Sequence, residues 1–345
     1  MLIVLKESIT ADQIEEITER VRESGLTPGL VPGASRSAIT VTGNTGVVVV
    51  PDIEELPGVL RVIRVTKPYR LATLEGTEGK HSVFQIGEAQ VGSSNAWFVA
   101  GPCSVDEPER LMRTAHKLKE IGAQALRGGA FKPRTNPYAF QGHGEDGLKL
   151  LAEARNQTKL PIVTEAMDPS QLDLVEKYAD VVQIGARNMQ NYSLLKRAGQ
   201  ARIPVLLKRG LSATLDELLN AAEYILAEGN DQVILCERGV RTFGDHCRFM
   251  LDVAAIPVLK SLTHLPVIVD PSHPAGTRRL VDPLARAAVA AGADGLIVEV
   301  HPEPEHALSD AQQALRFNDV IQLADTARQI ASVLNRSFGA DASQG

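Results

Sequence analysis

Four side chains of the types that bind divalent metals stand at separate points along the chain: Cys103, His273, Glu299 and Asp310. Each has an ordinary explanation when it is considered alone. A lone cysteine is most often a small buried residue, a histidine in a turn is most often solvated, and an aspartate before a helix is most often a helix cap. Glu299 differs because it lies in the apolar run LIVEV, where an unpaired carboxylate is costly to bury. A metal held by one thiolate, one imidazole and two carboxylates would satisfy all four groups at once.

The mixed donor set limits the identity of the metal without fixing it. Sulfur, nitrogen and oxygen ligands together suit Mn, Fe, Co or Zn, whereas Mg and Ca disfavour a thiolate. His301 shares a strand face with Glu299, because residues two apart point the same way, and we place it outside the four primary ligands. We therefore expect one divalent metal ion as the cofactor.

A second set of candidate residues is cationic, and each member follows the apolar core of a predicted strand. A single lysine or arginine is most often a surface charge. In a chain of formal charge -6, however, several cations at one mouth indicate polyanionic substrates, and arginine suits bidentate contacts with phosphate and carboxylate. A metal beside them could polarise a carbonyl group as a Lewis acid. The set comprises Arg127, Lys132, Arg134, Arg187, Lys208 and Arg238.

The elements that must position these residues follow a regular alternation. From Trp97 onward, short apolar runs alternate with helical patterns eight times, which is typical of parallel strands joined by crossover helices. This predicts a (β/α)8 TIM barrel. A doubly wound open sheet is the alternative, but it usually has fewer strands and a glycine-rich first turn, where this chain has GPCS. The predicted strands are WFVAG, AQALRGG, PIVTE, VVQIG, IPVLLKRG, QVILCERG, LPVIVDPSH and GLIVEVH.

A barrel places its functional residues at the carboxyl ends of its strands. Cys103 follows predicted strand 1, Glu165 ends strand 3, His273 follows strand 7, and Glu299 ends strand 8 with Asp310 in the loop beyond. Strands 1, 7 and 8 become neighbours when the barrel closes. We therefore expect the four metal-binding side chains to meet at one rim.

The amino-terminal part of the chain has a different pattern. Residues 1–70 contain strand LIVLK, an amphipathic helix at 11–24, and the strands SAITVTG, VVVV and LRVIRV. This order predicts a small ferredoxin-like α+β domain, with the barrel domain at 71–345 and the boundary between residues 67 and 75. A hairpin is expected near 82–95.

The bulk properties exclude several classes of partner. A pI near 5.8 argues against nucleic acid or an anionic membrane surface. No apolar run approaches the roughly 18 residues of a membrane span, and the first residues lack a secretory pattern. Three widely spread cysteines make no disulfide framework. We expect a cytoplasmic protein.

The motifs match a known family. The runs GPCS, LRGGAFKPRT, TEA, QIGARNMQN, LLKRG, ILCERG, VDPSH and IVEVHPEPEHALSD resemble 3-deoxy-D-arabino-heptulosonate 7-phosphate (DAHP) synthase, in the short-barrel class with a small amino-terminal regulatory domain. The resemblance extends in order from the first strand to about Arg316. It implies an aldol-like condensation of phosphoenolpyruvate with erythrose 4-phosphate, releasing phosphate, as the first step of the shikimate pathway to aromatic amino acids.

The resemblance also implies a role for each motif residue. Cys103, His273, Glu299 and Asp310 would be the metal ligands, and Cys103, His273 and Lys132 the catalytic residues, with Lys132 as proton donor or relay. Arg134 and Thr135 would contact the aldose phosphate, and Glu165 would orient groups around phosphoenolpyruvate. The residues that would hold phosphoenolpyruvate are Arg127, Lys132, Arg187, Lys208 and Arg238.

Alternatives are open at three points. A 3-deoxy-D-manno-octulosonate 8-phosphate synthase would share the barrel but use arabinose 5-phosphate, although KPRT favours the four-carbon aldose. A non-catalytic barrel would sense metabolites or scaffold a partner enzyme such as chorismate mutase. The amino-terminal domain would bind an aromatic amino-acid effector, or it would serve stability or oligomer contacts. We expect a homotetramer, because the family usually forms one and an exposed sheet edge invites pairing.

Overall fold

The computed structural model describes residues 1–33, 36–43, 53–63, 68–133 and 136–340. The chain divides into two compact units, Met1–Arg70 and Leu71–Gly345, which are taken in turn. Within the described residues, no helix is long and apolar enough to cross a membrane.

Unit 1 is an antiparallel sheet covered by one helix. Half-buried and buried residues alternate along strand β1 (Leu2–Leu5), and buried Ile17 and Val21 of helix α1 (Ala11–Glu23) belong to the same apolar cluster as Ile3 and Leu5. A capping box between Thr10 and Gln13 starts the helix. The sheet order is β2-β3-β1-β4. The elements are β1 (Leu2–Leu5), α1 (Ala11–Glu23), β2 (Thr27–Val31), β3 (Ala38–Thr42) and β4 (Val59–Ile63).

The expected ferredoxin-like fold is confirmed, and it contains one strand that the sequence pattern did not predict. The sequence pattern predicts no strand at Thr27–Val31, because Pro28 and Gly29 are unfavourable strand residues. The structure has β2 there, at the edge of the sheet, where a residue without an N–H is tolerated. The predicted strand VVVV lies outside the described residues.

Unit 2 contains a closed barrel of eight parallel strands, which confirms the fold expected from the alternating pattern. The first and last barrel strands pair with each other, with Trp97 opposite Gly295 and Gly101 opposite Glu299. A hairpin of β5 (Phe84–Ile86) and β6 (Ala89–Val91) precedes the barrel. The barrel strands are β7 (Asn95–Gly101), β8 (Ala125–Arg127), β9 (Ile162–Ala166), β10 (Val181–Ile184), β11 (Val205–Lys208), β12 (Val233–Glu237), β13 (Val267–Val269) and β14 (Gly295–Glu299).

Helices connect the barrel strands. The helix after β11 shows why the chain folds this way: Thr214 and Glu217 form a capping box, and Leu218, Ala222 and Ile225 are buried on one face. A short strand, β15 (Ser337–Phe338), pairs with β7 after the last helix. The helices are α2 (Pro108–Ile121), α3 (Glu145–Thr158), α4 (Pro169–Tyr178), α5 (Tyr192–Gly199), α6 (Leu215–Ala227), α7 (Ala255–Leu262), α8 (Ser272–Ala275), α9 (Arg278–Ala290) and α10 (Phe317–Val333).

The predicted hairpin is present as β5 and β6, with Gly87 at the turn in the left-handed region. Its residues Ile86, Ala89 and Val91 belong to an apolar cluster to which all eight barrel strands contribute, including Trp97. Because such a cluster fills the barrel interior, the hairpin closes the amino end. The opposite end is left for polar groups.

Candidate active site

The four predicted metal ligands meet at the carboxyl end of the barrel. Cys103 follows β7, His273 lies in α8, Glu299 ends β14 and Asp310 lies in the loop beyond. Donor atoms of Cys103, Glu299 and Asp310 all lie within 4.8 Å of one another, and the Nε2 atom of His273 is 3.7 Å from a Glu299 oxygen. A buried thiol, an imidazole and two carboxylates in contact form a donor set that fits a borderline-soft divalent cation.

The electrostatics of this group favour a cation. Burial, followed by the charge of Glu299, raises the pKa of the Cys103 thiol to about 12, and the thiol donates a hydrogen bond to Asp310 at 3.0 Å. Burial also opposes ionisation of the two carboxylates. Nevertheless, the hydrogen bond from Cys103 and the charge of His273 hold the pKa of Asp310 at about 2, and the charges of His273 and Arg127 keep the pKa of Glu299 lowered. A metal ion would compensate both carboxylates and the thiolate.

His273 is held in position by a buried carboxylate. Its Nδ1 atom lies 2.6 Å from Asp270, which also accepts a hydrogen bond from Lys208. Burial disfavours the charge on Asp270, but His273 and Lys208 hold the pKa of this carboxyl well below its usual range. For a metal to bind, Nε2 must give up its proton while Nδ1 keeps the proton shared with Asp270, and the Nε2 lone pair then faces Glu299 and the metal-binding group. Histidine ligands of metals in proteins are usually supported in this way.

A cationic cavity of about 310 Å³ opens beside the metal-binding group. Its volume suits a small molecule. It is lined by both kinds of predicted residue, including His273 and Asp310. Arg134 and Thr135 lie outside the described residues. The predicted substrate-binding residues on its wall are Arg127, Lys132, Glu165, Arg187, Lys208 and Arg238.

Two guanidinium groups in this cavity have unused hydrogen-bonding capacity. Arg238 is buried, stacks on Phe249 and, among the described residues, forms no ion pair with a carboxylate; burial lowers its pKa. Arg127 donates to Glu299 at 2.9 Å, but its buried Nε atom has no hydrogen-bond partner in the part of the chain that the structure describes. Buried polar groups of this kind need compensation, and an anionic ligand would provide it.

Glycines make room for two of the polar side chains. The Lys132 ammonium lies 3.0 Å from the Cys103 sulfur, and a Cβ atom at Gly129 would come within 2.7 Å of the Lys132 side chain. A Cβ atom at Gly185 would lie 2.1 Å from a Glu165 carboxylate oxygen. Both glycines therefore belong to the site through the space they leave.

The direction of the Arg209 side chain was not evident from the sequence. Arg209 follows Lys208 but turns away from the cavity to Glu237 at 2.8 Å and Asp252 at 3.0 Å, so it braces the loops instead. Only the alternation of side-chain direction along a strand could have indicated this.

His301 has no free nitrogen for a metal. Its Nδ1 atom accepts from the Glu303 amide at 3.0 Å, so the Nε2 atom carries the proton and donates to Asp106 at 2.8 Å. The outer position predicted for this residue agrees with these contacts.

The comparisons with known proteins identify the family of this chain. Residues 78–336 match the DAHP synthetase I family, and residues 1–67 match the DAHP synthase ferredoxin-like domain. The chain is 46% identical over 334 residues to a phospho-2-dehydro-3-deoxyheptonate aldolase of Thermotoga maritima, covering 97% of this chain and 98% of that protein. It is 33% identical over 247 residues to a 2-dehydro-3-deoxyphosphooctonate aldolase of Syntrophotalea carbinolica, covering 66% and 88%.

Solved structures give the same relationship. A crystal structure of the DAHP synthase of Thermotoga maritima superposes with a TM-score of 0.90 at 44% identity, covering 98% of both chains. A truncated form of the enzyme from the same organism has a TM-score of 0.74 at 46% identity, covering 79% of this chain and 99% of that one. The resemblance in the motifs is thus confirmed, and the chain is an enzyme of the DAHP synthetase I family with the ferredoxin-like domain of DAHP synthases at its amino end.

Proposed function

We propose that this enzyme condenses phosphoenolpyruvate with erythrose 4-phosphate to give DAHP and phosphate, with one divalent metal ion held by Cys103, His273, Glu299 and Asp310. The observation that carries the proposal is the buried donor group beside a cationic cavity in which, among the described residues, Arg127 Nε has no hydrogen-bond partner and buried Arg238 has no carboxylate partner. Family membership and the name of the Thermotoga maritima relative support the same reaction.

The metal would enter a group whose protonation must change. Cys103 gives up its thiol proton, and the ammonium of Lys132 at 3.0 Å stabilises the resulting thiolate. Asp270 keeps the proton of His273 on Nδ1. When bound, the metal supplies Lewis-acid polarisation of the aldehyde carbonyl. Mn, Fe, Co and Zn remain the candidates from the donor set.

Phosphoenolpyruvate carries a phosphate and a carboxylate, and we infer that the cavity holds both. Arg238 gains an anionic partner on binding, and so does the free Nε atom of Arg127. Arg187 and Lys208 complete the cationic wall. Contacts made in a buried cavity are stronger than the same contacts in water.

The chemistry needs this charge arrangement. The C3 atom of phosphoenolpyruvate attacks the aldehyde carbon, positive charge develops at C2, and water adds there. The new C4 oxygen takes a proton, and Lys132, close to Cys103, is the proposed donor or relay. Collapse of the resulting hemiketal phosphate breaks the bond between C2 and the phosphate oxygen, leaves a ketone at C2 and releases phosphate; of the two protons of the added water, one is balanced by the C4 hydroxyl and the other leaves with the phosphate. Fixed cations stabilise the anionic transition states without rearranging. Arg134 and Thr135 are proposed to bind the aldose phosphate.

The test is consumption of phosphoenolpyruvate and release of phosphate after chelation and after each metal is added back. Erythrose 4-phosphate should support turnover, whereas arabinose 5-phosphate should not. Preference for the five-carbon sugar would establish the octulosonate reaction instead. Cys103→Ala should abolish metal-dependent turnover while the urea midpoint of the metal-free chain stays unchanged. Activity in that variant would contradict the ligand assignment.

We further propose a homotetramer, a cytoplasmic location consistent with three free cysteines, and an aromatic amino-acid effector for the ferredoxin-like domain. Mass measurement in solution tests the first, and a monomer would refute it. Turnover with added tyrosine or phenylalanine tests the effector. Unchanged kinetics with both amino acids would leave the domain with a role in stability or assembly.

A further inference from the structure

Each carboxylate of the metal-binding group divides its two oxygens between different partners. Asp310 directs Oδ2 to the Cys103 sulfur, at 3.0 Å, and accepts a hydrogen bond on Oδ1 from Arg248, at 3.1 Å. Glu299 accepts from Arg127 on Oε1, the oxygen near His273, and uses Oε2 on its other side. One oxygen of each carboxylate therefore faces the group, and the other has an outer partner.

The outer partners are joined to each other. The Arg248 nitrogen that donates to Asp310 also donates to the side-chain oxygen of Gln313, at 3.2 Å, and the Gln313 amide nitrogen donates to Glu299 Oε2, at 2.6 Å. The orientation of the amide follows, because arginine can only donate and the carboxylate can only accept. A continuous bridge thus runs from Asp310 through Arg248 and Gln313 to Glu299.

The bridge stands between two cavities. Arg248 lines the substrate cavity, and it also lines a second cavity of about 660 Å³ formed by residues 245–248, 275–277 and 310–313. Gln313 is buried at 2% exposure, whereas the Arg248 side chain is 40% exposed. The half-exposed guanidinium is therefore the outer end of the bridge, and Gln313 is its buried centre.

We propose that Arg248 and Gln313 are positioning residues that fix the outer oxygens of both metal-binding carboxylates. This inference rests on the proposed metal centre. The Asp310 side chain is 24% exposed and lines both cavities, so Arg248 is the partner that holds its outer oxygen in place against water.

The test uses the full chain and Co²⁺, followed by the thiolate-to-cobalt absorption during titration and during transfer to a chelator. Arg248→Gln and Gln313→Met should weaken cobalt binding by about 10–100-fold, the usual effect of removing an outer partner of a metal ligand. Cobalt release should accelerate in both variants, and Arg248→Lys should restore part of the loss in the first. Arg241→Gln, the same charge change in the same loop, is the control and should match the unsubstituted chain.

Different outcomes would refute the positioning role and the metal centre. Cobalt binding with unchanged affinity and release in both Arg248→Gln and Gln313→Met would refute the positioning role. Failure of the unsubstituted chain to bind cobalt would refute the metal centre itself. The urea midpoints of the metal-free variants should stay within the range of the control, which distinguishes these effects from misfolding.

Discussion

Replacement of Asp270 by asparagine should weaken metal binding even though the residue is not a proposed ligand. The carboxylate accepts three hydrogen bonds: Oδ2 from His273 Nδ1, at 2.6 Å, and from Lys208, and Oδ1 from the His273 amide, at 3.1 Å. An amide offers one accepting oxygen and one donating nitrogen. In Asp270→Asn, at least one of these three donors must therefore face an NH₂ group.

The size of the effect follows from which donor loses its acceptor. If the NH₂ group faces Nδ1, the His273 ring adopts the other tautomer, its Nε2 atom is protonated, and this nitrogen cannot bind a metal. Removal of such a support lowers metal affinity about 10–100-fold, which corresponds to about 1.4–2.7 kcal/mol. Lys208, 5% exposed, also loses its buried counter-ion, and the free energy of unfolding of the metal-free chain should fall by about 3–5 kcal/mol.

Cobalt titration and urea unfolding measure these two effects separately. Asp173→Asn is the control, because Asp173 pairs with Arg197 at the surface; it should leave cobalt affinity unchanged and lower stability by less than about 1 kcal/mol. Excess metal should restore turnover of Asp270→Asn, provided the assay is run well below its urea midpoint. Cobalt affinity equal to that of the unsubstituted chain would refute the tautomer argument.

Three further predictions follow from the site. Gly185→Ala should displace Glu165, because the added Cβ atom would lie 2.1 Å from the Glu165 carboxylate. The value of kcat/KM for phosphoenolpyruvate should then fall by up to about 100-fold with an unchanged urea midpoint. Unaltered kinetics would show that the position of Glu165 does not depend on Gly185. Metal uptake should release a proton at neutral pH, because burial raises the pKa of the Cys103 thiol to about 12, so cobalt affinity should rise with pH; calorimetry in buffers of different ionisation enthalpy measures the proton. The pKa of Asp310 is lowered from 3.8 to about 2, so its ionised form stabilises the metal-free chain above pH 3.8, and this stabilisation should disappear as the pH falls to about 2. Asp310→Asn should flatten the dependence of the urea midpoint on pH in that range, and an unchanged slope would refute this contribution of Asp310.

The sequence was most informative where two independent constraints applied to one residue. Glu299 lies in an apolar strand and at the carboxyl end of that strand, so burial required a partner and the barrel supplied the place for it. Cys103, His273 and Asp310 then followed from strand adjacency. The eight-fold alternation of strands and helices predicted the barrel for the same reason, because period and order both pointed to it.

The alternation of apolar and polar residues did not predict the direction of individual side chains or the contacts made by irregular loops. Lys208 and Arg209 are adjacent cations at one strand end, yet one lines the cavity and the other turns to Glu237. Arg248 lies in a loop without periodicity, and its partner Gln313 is far away along the chain. Pro28 and Gly29 concealed the edge strand β2, since tertiary pairing outweighs strand propensity there.

The hairpin of β5 and β6 determines where the chain can be divided. Its residues cover the amino end of the barrel, and they lie in unit 2, after the boundary at residue 70. A chain that begins at residue 71 keeps this cover, so its apolar interior stays dry. A chain that begins at Trp97 loses it and exposes the interior to water, which makes it prone to aggregate. The hairpin thus makes the barrel a self-contained module to which another domain can be joined.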